Sequence, residues 1–215
     1  FYAHLGDAEM DEGSMWEAVI EPVLNGIDRC TWVVDVNRQS LDRVVPGIRV
    51  RQFMDMLTAN GWTVFTAKYG DRLTELMHRP GGEALRRRID DMSNEEYQGL
   101  LVSDHGELKG RLLDGAGKGR SDLQRCVGDV DDDELYERIT NLGGHDVGYL
   151  SRLLKKATDT PGPTGVFAYT VKGWGLHSAA DPRNHTATLT PEQFDQLAET
   201  TGRNPANPWE RFSES

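Results

Sequence analysis

With 215 residues, 37% of them hydrophobic and 8% aromatic, the chain has enough apolar material to bury the core of one ordinary domain. Its net charge of -11 and pI near 5.0 argue against a nucleic-acid partner, which would demand clustered Lys and Arg. No stretch approaches the ~20 apolar residues of a membrane span and no charged-then-apolar signal segment opens the sequence, so a cytoplasmic protein with no membrane partner is expected.

Taken in chain order, residues 2–5 read as a strand, 14–25 as a helix capped by Ser14, and 31–36 as a nearly continuous apolar strand of the kind buried on both faces of a parallel sheet. Residues 50–60 place apolar side chains at 50, 53, 54 and 57, a helical period, and stop before Gly61. Residues 62–67 make a third strand. Asp71 is read as the cap of a helix running to residue 78, and 82–92 as another helix. Ser93 and Glu96 then form a capping box. Residues 102–120 contain five glycines and little periodicity, which reads as a long loop. Loops of that length inside a compact domain are usually functional or mobile. The expectation is a lid over 106–120 that ligand orders and that proteases cut near Lys109, Arg111 or Lys118. Helices return at 121–127, 132–141 and 147–158, followed by a strand at 165–170. Strands alternating with helices predict an α/β fold, a mostly parallel sheet with helices on both faces joined by right-handed crossovers. No internal repeat is visible.

The chemistry-bearing residues begin at the end of the first strand, in the segment GDAEMDE over 6–12. Thirty positions after Asp7, the strand TWVVDV delivers Asn37 and the segment NRQSLD. An Asp and an Asn at the ends of two neighbouring strands can hold one hard cation beside a diphosphate. Magnesium favours this: octahedral oxygen ligands, few from protein and the rest from phosphate and water. In α/β sheets such ligands meet at the carboxyl ends of strands. Taken alone, Gly6-Asp7 after a strand is more often a turn than a metal site, and Glu9, Asp11 and Glu12 suit the first turn of a helix.

Other candidates keep two readings. His145, in Leu142-Gly143-Gly144-His145-Asp146, either contacts a diphosphate or substrate or stands beside an Asp146 that caps the next helix. Trp174, between Gly173 and Gly175, is either a core plug or a site wall. His177 and His185 lie in a following loop. Trp16, Trp32 and Trp62 read as core. Arg86-Arg87-Arg88 reads as a solvated helix face, and the acidic run ending at Glu134 as a helix amino terminus rather than a calcium loop. Cys30 and Cys126 have neither metal nor disulfide spacing and read as small core residues. The glycosylation pattern at Asn184-His185-Thr186 carries no meaning in a cytoplasmic enzyme.

GDAEMDE followed by VVDVNRQSLD resembles the thiamine diphosphate motif of the transketolase superfamily, and its longer form is similar to the homodimeric type of pyruvate dehydrogenase first component. Further matches follow in order at Gly61–Ala67, Glu96–Gln98, Leu142–Asp146 and Thr170–Gly175. The resemblance implies thiamine diphosphate and Mg2+ as cofactors, with Asp7 and Asn37 ligating the metal by side chain and Gln39 by its backbone carbonyl. Gly6, Asp7, Ala8, Glu9, Asn37 and Gln39 would then surround the diphosphate, and His145 is the candidate catalytic residue. It further implies a 2-keto acid substrate, a thiazolium ylid as the working species, two-carbon transfer to a lipoyl-bearing acyltransferase, and a homodimer formed through a longer parent protein. On this reading residues 1–175 are part of a diphosphate-binding domain and 176–215 a trailing segment or linker towards a second thiamine-binding domain. That second domain would carry the glutamate that activates the aminopyrimidine, so the 215-residue chain alone is expected to be catalytically silent. The sequence departs from the family pattern at Ala8 (a glycine there), at Asp35 (an asparagine) and around Arg111, where the family carries a histidine-bearing segment. The last departure weakens strict pyruvate specificity. A transketolase-like ketol transfer on sugar phosphates and a non-catalytic assembly chain are the competing readings.

Overall fold

A computed structural model describes residues 1–21, 23, 26, 27, 29–37, 39, 40, 43, 44, 47–179, 181, 184, 186, 188–207, 209 and 211, the side chains of 39, 40, 43, 44, 47, 48 and 94 excepted. Four parallel strands make the main sheet: β1 (Tyr2–Gly6), β2 (Thr31–Val36), β5 (Thr63–Ala67) and β6 (Thr164–Tyr169), in the spatial order β1-β2-β6-β5. Two further strands, β3 (Gln39–Ser40) and β4 (Arg43–Val44), form a separate antiparallel pair. The α/β class and the parallel sheet are as predicted.

Crossovers explain where the helices lie. The chain passes from β1 to β2 through α1 (Gly13–Val19) and from β2 to β5 through α2 (Gly47–Ala59), moving one way across the sheet. It then returns from β5 to β6 in the opposite direction. Right-handed connections therefore put α1 and α2 on one face and the last helix before β6, α9 (Val147–Thr158), on the other. Side-chain alternation along β2 agrees: Trp32, Val34 and Val36 point into a core with Val50, Phe53 and Leu57 of α2, while Val33 and Asp35 face the other way. Trp32 and Trp62 meet in that core with ring centroids 4.6 Å apart, and Trp16 packs on Phe53 at 5.6 Å.

Between β5 and β6 the chain builds a second apolar core out of helices alone: α3 (Asp71–Met77), α4 (Gly82–Asp91), α5 (Asn94–Leu101), α6 (His105–Asp114), α7 (Arg120–Val127) and α8 (Asp132–Ile139). Here the expected lid is corrected. Residues 105–114 are α6, not a loop, with Leu108, Leu112 and Leu113 buried and Asp104 capping the helix by accepting the Gly106 N–H at 2.9 Å. Glycine at 106 and 110 weakens local helical preference, but burial of the leucine face outweighs it. Arg88 is a second correction. Only 8% exposed, it ion-pairs with Glu96 and its Nε donates to the Leu112 carbonyl at 3.1 Å, so it pins α4 to α6 instead of facing solvent. That pairing also leaves the predicted capping box half made: Ser93 accepts the Glu96 N–H, while the Glu96 carboxylate goes to Arg88.

Smaller corrections concern helix ends. Helix α1 stops at Val19 and has Glu12, not Ser14, at its cap position. Gly70 holds the cap position of α3, and the Asp71 carboxylate pairs with Arg152. The segment expected to trail after residue 175 contains a helix, α10 (Pro191–Thr200), started by a Thr190/Gln193 capping box. The Asn184 amide nitrogen donates to the carbonyls of Lys172 and Ser178. Cys30 and Cys126 are buried as free thiols, and burial pushes both upward in pKa. Among the described residues no helix is long and apolar enough to cross a membrane.

Candidate functional site

The carboxyl ends of β1, β2, β6 and β5 open along one edge of the sheet, and the predicted site residues fall there. Parallel register pairs Gly6 with Asp35, and the Asp7 N–H donates to the Asp35 carbonyl at 3.0 Å. Asp7 is therefore fixed one residue past the end of β1, and Asn37 follows one residue past the end of the adjacent β2. Asp7 is almost wholly buried, 4% exposed. Behind it Glu9 opens a short 3-10 turn, Glu9–Asp11, and takes the Gly6 N–H on its own carboxylate at 2.6 Å. Ala8 sits at that turn's cap with φ -69° and ψ -30°. This is ordinary right-handed backbone, so a Cβ at this position brings no backbone strain.

Asn37 is oriented by its neighbours. Its Nδ2 donates to Asp35 Oδ2 at 3.2 Å, and Thr170 Oγ1 donates to the other Asp35 oxygen. A carboxylate only accepts, so the Asn37 amide must turn its nitrogen to Asp35 and its oxygen away from it. The set of Asp carboxylate, Asn amide oxygen and backbone carbonyl is hard oxygen throughout, which suits a magnesium ion holding most of its ligands from phosphate and water. No group of three or more His, Cys, Asp and Glu among the described residues is gathered to cage a metal by itself. The predicted set contains a single such side chain, Asp7. Gln39 begins β3, paired with Val44 across the short ladder. Arg38, Leu41 and Asp42 of the second motif, and His185, lie outside the described residues.

His145 arrives at the same edge for a steric reason. Gly143 and Gly144 insert between the ends of β5 and β6, donating to the carbonyls of Lys68 and Tyr169 at 3.1 and 2.9 Å. A Cβ on Gly143 would lie 2.5 Å from the Ala67 backbone, and one on Gly144 2.6 Å from the Tyr169 carbonyl oxygen. The turn therefore needs both glycines, and it delivers His145 half-buried against the loop after β6. There Nε2 accepts the Val171 N–H at 2.7 Å, and the ring stacks on Trp174 at 4.6 Å. With Nε2 accepting, the proton of the neutral ring sits on Nδ1. Burial lowers its pKa and favours that neutral form, against the pull of the nearby Asp35 carboxylate. Trp174 is 58% exposed, held by glycines at φ 74° and 80° on either side; it is a wall and not a core plug. His177 lies apart from this edge, its Nε2 bonded to Gln196 of α10.

Asp146 does cap α9, its Oδ1 accepting the Tyr149 N–H and its Oδ2 the Asp71 N–H, both at 2.9 Å. Partial burial raises its pKa, but those N–H groups, the Asn141 amide and Arg152 outweigh it and hold the carboxyl below its ordinary value. Its stabilisation is therefore present above the unfolded value near pH 4 and fades as pH falls through the folded value. Asp146→Asn should lower stability at neutral pH and flatten the acid limb between about pH 5 and 3. Urea unfolding at a series of pH values checks this, and an acid limb of unchanged slope in the variant would refute it.

Three residues of this edge escaped the sequence reading. Thr170 opens TVKGWG, and the Lys68-Tyr69 pair directly follows β5, where a polar residue at a strand's carboxyl end was the available signal. Lys68 and the Tyr69 hydroxyl both bond to Asp90 of α4. Together with Asn37, Tyr169 and Thr170 they line a pocket running from the sheet edge into the helical layer.

The chain is similar to pyruvate dehydrogenase E1 components. It is 28% identical over 200 residues to that protein from Corynebacterium glutamicum, a span of 91% of this chain and 21% of the relative. Over 186 residues it is 28% identical to the protein from Escherichia coli and 31% identical to that from Buchnera aphidicola, in each case 85% of this chain and 20% of the relative. The chain thus spans about a fifth of the length of the curated relatives it matches. No protein-family model matches it.

Proposed function

We propose that the chain forms the magnesium- and diphosphate-binding side of a thiamine diphosphate-dependent enzyme that decarboxylates a 2-keto acid and passes on a two-carbon unit. One observation carries this reading: Asp7 and Asn37 each follow the carboxyl end of one of two adjacent parallel strands, in a chain similar to pyruvate dehydrogenase E1 components along most of its length. Asp7 and Asn37 would hold the metal by side-chain oxygens and Gln39 by its carbonyl. Gly6, Ala8 and Glu9 would face the diphosphate. When bound, the cofactor supplies the carbanion chemistry that cleaves the bond next to a keto carbonyl. The protein's part is orientation. Asp35 and Thr170 hold the Asn37 amide in one rotamer, and neutral His145 with Trp174 would wall the hollow that Asp35, Asn37 and Thr170 also line. A homodimer of the longer protein in the cytoplasm, acting with a lipoyl-bearing acyltransferase, completes the proposal.

The test reads the metal itself. Manganese in place of magnesium, titrated into the chain with thiamine diphosphate and followed by electron paramagnetic resonance, should show diphosphate-dependent binding. Asp7→Ala should weaken it by on the order of tenfold to a hundredfold, each tenfold being about 1.4 kcal/mol. Equal manganese affinity in chain and variant would refute the assignment.

A further inference from the structure

Asp35 ties the sheet edge together. Its backbone carbonyl takes the Asp7 N–H at 3.0 Å. One carboxylate oxygen takes the Asn37 Nδ2 at 3.2 Å and the other the Thr170 hydroxyl, so the side chain joins the end of β2 to the residue after β6. Both donors are neutral. Among the described residues no Lys or Arg forms an ion pair with Asp35, Lys172 of the same hollow included. Burial favours the neutral form of His145 on the same hollow. A half-buried carboxylate thus faces this edge with no protein cation set against it.

Asp35 is not itself a ligand in this arrangement. The Asn37 amide gives its nitrogen to Asp35 and turns its oxygen away, so Asp35 stands behind the ligand atom. From there it acts in two ways. Its charge attracts a cation, and the hydrogen bond it accepts shifts electron density onto the Asn37 oxygen, as a partner behind a metal ligand does. The same charge repels a diphosphate. An asparagine at this position would exert neither effect and would offer the two donors one acceptor oxygen instead of two.

We propose that Asp35 loads the divalent cation ahead of the diphosphate: the edge holds the metal by itself, and a diphosphate binds only onto that metal and then tightens it. The metal's place at Asp7 and Asn37 rests on the function proposed above; the hydrogen bonds around Asp35 do not. Asp35 is a positioning residue, fixing which atom Asn37 presents and the order in which the two ligands arrive.

Manganese and inorganic pyrophosphate, added separately to the metal-free chain, read the two halves of the proposal. Electron paramagnetic resonance should show manganese bound before any diphosphate is present, and phosphorus resonance should show pyrophosphate bound only after metal is added. Asp35→Asn should weaken manganese by about tenfold to a hundredfold, the range for losing a partner behind a metal ligand. It should also bind metal-free pyrophosphate more tightly than the parent chain does. The opposite signs separate this role from a loosened sheet edge, which would weaken both. Thr170→Val removes one hydrogen bond to Asp35 and keeps the charge, so metal-free pyrophosphate should stay excluded. Circular dichroism shows whether each variant folds, and the order of binding is read on the parent chain without any variant. No manganese binding in the absence of diphosphate, pyrophosphate bound as tightly without metal as with it, or a folded Asp35→Asn that binds both ligands as the parent does would overturn the proposal. Manganese binding weakened by Asp35→Asn but unchanged by Asp7→Ala would keep the Asp35 role and remove the cofactor reading; metal and diphosphate coupled through Asp7 yet unchanged in Asp35→Asn would do the opposite.

Discussion

Alanine at Gly143 or at Gly144 should destabilise the chain by roughly 1–3 kcal/mol or more, the cost of forcing an extra carbon into a packed interior. The usual relief, a side chain swinging aside, is denied at Gly143, whose close contacts are all backbone, and is open at Gly144 only for the Thr170 methyl, 2.6 Å away, and not for the Tyr169 carbonyl. The new methyl of Gly143→Ala would meet the carbonyl carbon and oxygen of Ala67 at 2.5 Å, and that of Gly144→Ala the Tyr169 carbonyl oxygen at 2.6 Å. Strands β5 and β6 pair in register through Ala67 and Ala168, so the strain is relieved most easily by the turn backing out of the sheet edge. His145 would then lose the Val171 N–H and its stack on Trp174. Urea unfolding gives the stability, and nitrogen chemical shifts of the His145 ring give the tautomer, which should lose its Nδ1–H preference. A change within about 0.5 kcal/mol, the range of ordinary surface substitutions, together with an unmoved histidine would show that the turn does not depend on glycine.

The sheet was legible in the sequence because its signals are short-range. Residues 31–36 are a nearly continuous apolar run, as suits a strand covered on both sides, and 147–158 carries an uninterrupted amphipathic helix, so both segments were found to the residue. The positions of Asp7 and Asn37 followed from those strand ends. What could not be read was energy that depends on partners distant in sequence. Glycines at 106, 110, 115, 117 and 119 outvoted the leucines at 108, 112 and 113 because the surface those leucines cover comes from α7 and α8. Arg88 reads as one of three basic residues on a helix until Glu96 and the Leu112 carbonyl are known to face it. Lys68 and Tyr69 gained meaning only from Asp90, twenty-two and twenty-one positions on. Each of these is a tertiary contact overriding a local preference.

Helix α6 also offers a sharp test of whether the helical layer holds together as observed. Leu112 is fully buried among Leu108, Leu113 and Leu123, and its carbonyl receives the Arg88 Nε, so removing its side chain empties space at the point where α4 and α6 are joined. Leu112→Ala should cost about 2–5 kcal/mol, transfer and cavity terms together. Trypsin supplies a second reading. Lys109 is tied to the Val130 carbonyl at 2.8 Å and to Asp132 at 3.1 Å, and Arg111 donates to the Gly99 carbonyl at 3.2 Å. Cleavage at these basic residues requires the helix to open first, so the parent chain should resist there and the variant should be cut much faster. Hydrogen exchange then separates two outcomes. If the helical core and the sheet core unfold as one unit, amides of β2 and β6 lose protection along with those of α6; if they are separate units, only the helical layer does. Rapid cutting of the parent chain at Lys109 or Arg111, with Leu112→Ala no less stable, would mean that α6 is not packed and that residues 105–114 are a mobile loop after all.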